Sequence, residues 1–127
     1  MFDLILIAGL WVSGCVQTQT TKAQGYAIES YSLSETGEYE YSRLWHKDSQ
    51  CERPFMEERE AGLMDVGNKV SSVFASNQTY EADFKSSEGT DLGAIELKDG
   101  MLKIARGSKG SGLRNTMLSL FGFRKIR

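Results

Sequence analysis

The sequence predicts an α+β domain: a small antiparallel sheet of about five strands with one helix, following an apolar N-terminal segment. Three observations carry that expectation. Aromatic and β-branched residues alternate with polar ones on both sides of two Gly-containing turns, Ser34-Glu35-Thr36-Gly37-Glu38 and Lys98-Asp99-Gly100. Between them, from Pro54 to Phe74, the apolar period changes to a helical one. The chain has 127 residues, an apolar share of 40% and a formal net charge of −2, which fit one globular domain. Those figures exclude a multi-pass membrane protein, a collagen, a disulfide-dense mini-protein and a wholly disordered chain.

The first element is the uncharged run Leu4-Ile5-Leu6-Ile7-Ala8-Gly9-Leu10-Trp11-Val12. Extended to Val16 it would reach about 20 Å as a helix, short of the roughly 30 Å of bilayer hydrocarbon. That length suits the core of an export signal. Val12-Ser13-Gly14-Cys15 follows directly, and then a polar stretch. An apolar segment ending in Val-Ser-Gly-Cys resembles the lipobox of bacterial lipoprotein precursors. The resemblance covers about the first sixteen residues, and it implies cleavage before Cys15 with lipid attached to the Cys15 thiol. It also implies an outer-membrane lipoprotein facing the periplasm, since Val16 rather than Asp follows the cysteine. The opening Met1-Phe2-Asp3 carries an acid where signal peptides carry Lys or Arg. The same residues suit a buried strand or helix of the domain itself, with Cys15 kept as a thiol. In an oxidising compartment a Cys15–Cys51 bridge is then open to the chain.

The organisation that follows is a signal peptide at 1–14, a lipid anchor and polar tether at 15–25, the α+β domain at 26–106, and a Gly/Ser linker with a basic, apolar tail at 107–127. Tyr26 to Leu33 and Tyr39 to Trp45 read as a hairpin. Its tyrosines suit cross-strand core packing, or alternatively a strip that binds carbohydrate or peptide. In the helix expected from Pro54 to Phe74, Met56, Leu63, Val66, Val70 and Val73 form the apolar stripe, with Glu57, Glu58 and Glu60 in the opening turns. Thr79 to Lys85 alternates as a strand, and Leu92 to Leu97 pairs with Met101 to Ala105 across the Asp-Gly turn.

Chemistry-bearing motifs are sparse. The one histidine excludes a His-rich zinc site, and no CxxC exists. We expect no cofactor, no metal and no catalytic residues, with a small periplasmic hydrolase using Cys51 and His46 as the enzymatic alternative. Glu57, Glu58 and Glu60 read as a solvated helix start rather than paired catalytic carboxylates. Gly107-Ser-Lys-Gly110 resembles a KH loop, but too few residues follow it to complete that fold. Asn77-Gln78-Thr79 matches the glycosylation sequon, which matters only in a eukaryotic secretory setting.

Charge is divided along the chain. Residues 1–97 hold seven Lys and Arg against sixteen Asp and Glu, whereas residues 98–127 hold eight against Asp99 alone. The basic end either folds onto its own acidic domain or meets an anionic partner. As contact residues we single out Arg114, Phe121, Phe123, Arg124, Lys125 and Arg127. The functional expectation is a lipid-anchored, non-enzymatic envelope protein presenting its domain to a protein partner, bound to the membrane through the anchor and not to nucleic acid. A nucleic-acid binder using the basic tail is the reading if the chain is not exported.

Overall fold

The computed structural model describes residues 2–70, 78–118 and 122–127, and among them it contains no α-helix. One 3-10 turn, Leu4–Ile7, precedes nine strands: β1 (Gly9–Val12), β2 (Val16–Gln19), β3 (Gln24–Leu33), β4 (Glu38–His46), β5 (Pro54–Lys69), β6 (Thr79–Ser86), β7 (Gly89–Lys98), β8 (Met101–Ala105) and β9 (Phe123–Lys125). All pairings are antiparallel, and neighbours run β1-β9-β8-β7-β6-β5-β4-β3-β2. Because β1 also pairs with β3, eight strands close into a barrel, with β2 an additional strand on β3. Closure removes the free edges an open sheet of these strands would expose.

This corrects the α+β expectation. The residues read as a helix form β5, the longest strand, and positions 71–74 of that reading lie outside the described residues. The reason lies in what β5 turns inward. Met56, Glu58, Glu60, Gly62, Met64 and Val66 alternate toward the interior, while Phe55, Glu57, Arg59, Ala61, Leu63 and Asp65 are exposed. Carboxylates sit on the inner face and apolar residues on the outer one, so the period of two is hidden and a helical one emerges by coincidence.

The two hairpins fold as read. Asp99 and Gly100 both have positive φ, at 55° and 75°, which gives the primed turn that matches strand twist. Val16–Gly25, expected as a tether, contains β2 and the first residues of β3. β9, from the expected tail, pairs with both β1 and β8 and closes the ring.

Trp11, Tyr31, Leu33, Tyr39, Met64, Phe84, Ile95, Leu102 and Phe123 form one buried cluster with Ile7. Tyr31 is its centre, with the Phe123 ring edge-on at 5.3 Å and the Tyr41 ring at 4.9 Å. Tyr39 stands opposite Gly62 in register, and the Lys85 carbonyl on β6, with the Tyr39 ring, occupies the space that a side chain there would fill. One end of the barrel is stopped by the N-terminal residues. Asp3 accepts a hydrogen bond from Ile5 N to start the 3-10 turn. Ile7 is then fully buried, and Phe2 packs edge-on against Tyr80 at 5.0 Å. Trp11 Nε1 donates to Ile7 O at 2.8 Å, tying this stopper to β1.

Cys15 and Cys51 form a disulfide with Cα atoms 6.0 Å apart. It joins the β1–β2 junction to the loop between β4 and β5, at the end away from the stopper. Closing a loop of this length (a sequence separation of 36) stabilises a chain by about 3–4 kcal/mol in the chain-entropy account.

Candidate ligand site in the barrel mouth

Alternation decides which polar groups face the interior. β3 points Ala27, Glu29 and Tyr31 inward, β4 points Tyr41 and Arg43, β5 points Glu58 and Glu60, and β7 points Asp91; Arg106 and Lys109 follow β8. Toward the mouth the apolar core therefore gives way to a charged lining. Charges in such a position persist only when paired.

The pairing is extensive. Arg106 lies at its centre, its guanidinium 4.6 Å from the Phe84 ring centroid. Its Nη2 donates to Glu60 Oε2 at 2.8 Å and closely to Asp91 Oδ2, and its Nη1 donates to Tyr31 Oη at 3.3 Å. Lys109 donates to Glu60, at the closest approach, and to Glu88 at 2.9 Å. Tyr39 Oη donates to Glu60 Oε2 at 2.9 Å. A second cluster joins Arg43 to Glu29 at 2.9 Å and Glu58 at 3.3 Å, with Tyr41 Oη donating to Glu29 at 2.5 Å and Trp45 Nε1 to Glu58 at 3.2 Å. Burial pushes the Glu60 carboxyl up, but its bonds from Lys109 and Arg106 outweigh burial and hold it below the usual carboxylate range.

Beside this network is a cavity of about 460 Å³, within the size range of small-molecule sites. Thr18 on β2, Tyr31, Tyr41, Asp91, Ile104 and Arg106 line it. Asp91 Oδ1 and Arg106 Nε are buried and have no hydrogen-bond partner among the described residues. They belong to the two side chains of one ion pair, whose bond runs instead from Arg106 Nη2 to Asp91 Oδ2.

The tyrosines set the alkaline limit. Burial raises Tyr31 to about 12, against the opposing pull of Arg106. Burial likewise raises Tyr39 and Tyr41, aided by Glu60 and Glu29 respectively. All three folded values exceed the unfolded value near 10. Their stabilisation is complete below pH 10 and is lost progressively as pH rises through the folded values, of which that of Tyr31, about 12, is the lowest. We therefore expect Tyr31, Tyr39 and Tyr41 to ionise late, together with loss of the barrel's circular dichroism. Tyrosinate absorbance showing all five tyrosines titrating near 10 in a folded chain would contradict this.

The residues singled out in the sequence are dispersed. Cys15 is in the disulfide, and so is Cys51, which in this form carries no thiol for nucleophilic attack. His46 is buried, with Nδ1 unpartnered among the described residues. Glu57 faces outward, whereas Glu58 and Glu60 enter the two charge clusters. Arg114 is used internally, pairing with Glu81 at 3.2 Å and Asp83 at 2.8 Å and donating to Gly93 O at 2.8 Å. Phe123 is buried in the core. Arg124, Lys125 and Arg127 are exposed, with no ion pair among the described residues. Phe121, Val73 and the sequon's Asn77 lie outside the described residues. No group of three or more potential metal ligands occurs among the described residues, and none of their helices is long and apolar enough to cross a membrane.

Sequence reasoning missed Glu29, Arg43, Asp91, Arg106 and Lys109. The available signal was the two-residue spacing of Tyr41 and Arg43 and of Glu58 and Glu60, which on strands puts each pair on one face. Compared with protein-family models, curated proteins and solved structures, the chain matches none.

Proposed function

We propose that this chain is a non-enzymatic binding protein of an oxidising compartment, whose barrel mouth holds one small molecule. The observation that carries this reading is the cavity of about 460 Å³ beside Arg106, lined by both charged and aromatic side chains. An eight-stranded barrel has an interior just large enough to be filled by side chains or to hold one small ligand. Here the stoppered end is filled and the mouth is not. A long alkyl chain is a poor fit, because it would strip water from Glu29, Arg43, Asp91 and Arg106 without replacing its hydrogen bonds.

The disulfide supports an oxidising location, as such bonds are rare where thiols are kept reduced. It competes with the lipobox resemblance for one sulfur. A lipid-anchored envelope protein would begin at Cys15 and carry a thioether there. An oxidised barrel keeps residues 4–12 and a bond to Cys51. Intact mass of the native protein separates the two.

The binding reading is tested by native mass spectrometry of protein purified without denaturant. A small molecule should accompany the wild-type chain and leave on denaturation. Thr18→Trp projects a large ring into the cavity from β2 and removes no member of the charge network, so this variant should fold and arrive empty. Wild type and variant both arriving empty, with neither stabilised by any member of a panel of sugars, amino acids and nucleosides, would refute the reading.

A further inference from the structure

We propose that the corner where the β8–β9–β1 wall meets the stoppered end of the barrel docks on an anionic lipid bilayer. The proposal is independent of any ligand in the mouth. Its starting point is how the fold uses the basic end of the chain. Of the eight Lys and Arg in residues 98–127, Arg106, Lys109 and Arg114 are paired with carboxylates. Lys98, Lys103, Arg124, Lys125 and Arg127 are in no ion pair among the described residues. Strand pairing brings these five together. Lys98 is opposite Met101, Met101 is opposite Arg124 on β9, and Arg124 is opposite Val12 on β1. Lys103 lies two positions along β8, on the same face as Met101. Lys125 is opposite Trp11, and its Cε comes within 2.7 Å of where Gly9 would carry a Cβ. Leu10 N donates to Arg127 O at 2.7 Å, which holds Arg127 beside β1.

Charge is segregated by this arrangement. Beside the five cations stand Asp99, the one acid of residues 98–127, and Glu96, which is opposite Lys103 and buried. At the stoppered end Asp3 caps the 3-10 turn, while Glu35 and Glu38 flank the β3–β4 turn, two strands round the ring from β9. The chain's other ten Lys and Arg face sixteen Asp and Glu. Charge alone would suit any polyanion, and the apolar content of the same corner selects a bilayer. Ile5 and Leu6 of the 3-10 turn are each 59% exposed, and Ile126, whose N–H donates to Leu10 O, is 63% exposed. Large aliphatic side chains left in water beside unpaired cations match the two layers of a membrane surface. Headgroup phosphates take the cations, and the aliphatic groups enter the acyl boundary. A nucleic-acid backbone has no apolar layer to receive them. Docked in this way, the barrel keeps its mouth, at the opposite end, open to solution.

The test uses the full-length oxidised protein, which keeps residues 4–12, and sedimentation with lipid vesicles. Vesicles of phosphatidylcholine and phosphatidylglycerol in equal parts should carry the protein down, and pure phosphatidylcholine should not. Raising salt from about 0.15 M to about 1 M should weaken binding, since the screening length falls from about 8 Å to about 3 Å. Each Lys or Arg near an anionic surface strengthens binding about fivefold, so Lys98→Gln, Arg124→Gln and Arg127→Gln together should weaken it roughly a hundredfold. Lys47→Gln with Arg53→Gln removes two exposed cations from the β4–β5 loop at the mouth end and should leave binding unchanged. Ile126→Trp reads insertion separately from affinity. Trp11 and Trp45 are buried, so the added indole reports the corner, and its emission should shift to the blue on the mixed vesicles. If the triple variant loses its thermal transition, the wild-type vesicle comparison and the indole still decide. No sedimentation with the mixed vesicles, equal binding to both kinds, or an unshifted indole would overturn the proposal. Equal losses in the two sets of Gln variants would overturn the assignment to this corner. Binding to poly-L-glutamate or duplex DNA without binding to the mixed vesicles would replace the bilayer by another polyanion.

Discussion

Trp11→Ala is expected to destabilise the barrel by about 3–5 kcal/mol, the range for deleting a large buried aromatic side chain. Trp11 is 2% exposed and sits where β1 pairs with both β3 and β9. The substitution opens a cavity in the core, and it also removes the indole N–H that Ile7 O accepts. The stopper loses its tie to β1 in the same step. Domains of this size have only about 5–15 kcal/mol in total. Urea unfolding followed through Trp45, the other tryptophan, should therefore show a midpoint lowered by a large fraction. Trp11→Phe, which keeps much of the volume, should lose distinctly less. Equal and small losses in both variants would mean that β1 is not part of the stable barrel. The same experiment bears on processing. A chain beginning at Cys15 would lack Ile7, Trp11 and all of β1, leaving β3 and β9 without the strand that joins them.

The second large effect is expected at Arg106. Arg106→Met keeps some volume but leaves Asp91, itself only 4% exposed, with no cation, and removes one of the two cations on Glu60. Breaking a buried pair from one side typically costs about 3–5 kcal/mol, since the remaining charge is uncompensated. The stacking of the guanidinium on Phe84 is lost as well. Adding Asp91→Asn to Arg106→Met removes the orphaned charge and should recover part of the loss. Arg106→Lys should not rescue fully, because an ammonium lacks the planar fork that bonds Tyr31, Glu60 and Asp91 together. A double variant no better than Arg106→Met alone would show that the charge imbalance is not the source of the damage.

Much of the strand structure was legible where the inner face is apolar. Tyr31, Leu33, Tyr39 and Trp45 alternate inward from the first hairpin, and Ile95, Leu97, Leu102 and Ile104 do so from the Asp-Gly hairpin. The site was illegible for the same reason that β5 was. Glu58 and Glu60 look like solvated side chains until Arg43, Arg106 and Lys109 arrive from other strands. Arg106 and Asp91 are 15 positions apart, and Lys109 and Glu60 are 49 apart. No local pattern reports partners at such distances.

Length, composition, the two turns and the alternation around them were determined by the sequence alone, because turn geometry and side-chain period are local properties of the chain. The charge division was also plain, and its inward-folding alternative is where Arg106, Lys109 and Arg114 are found. Only the tertiary structure decided three things: that the apolar start is a stave and stopper of the barrel, that Cys15 meets Cys51, and that charges line the mouth. The first depends on ring closure, which brings β1 beside β3 and β9, and the other two on side chains that strand pairing brings together from segments far apart along the chain. An apolar run reads alike whether its surroundings are hydrocarbon or a protein core, since burial rewards both in the same way. The difference is made by the residues that surround it, and those are assembled only by the fold.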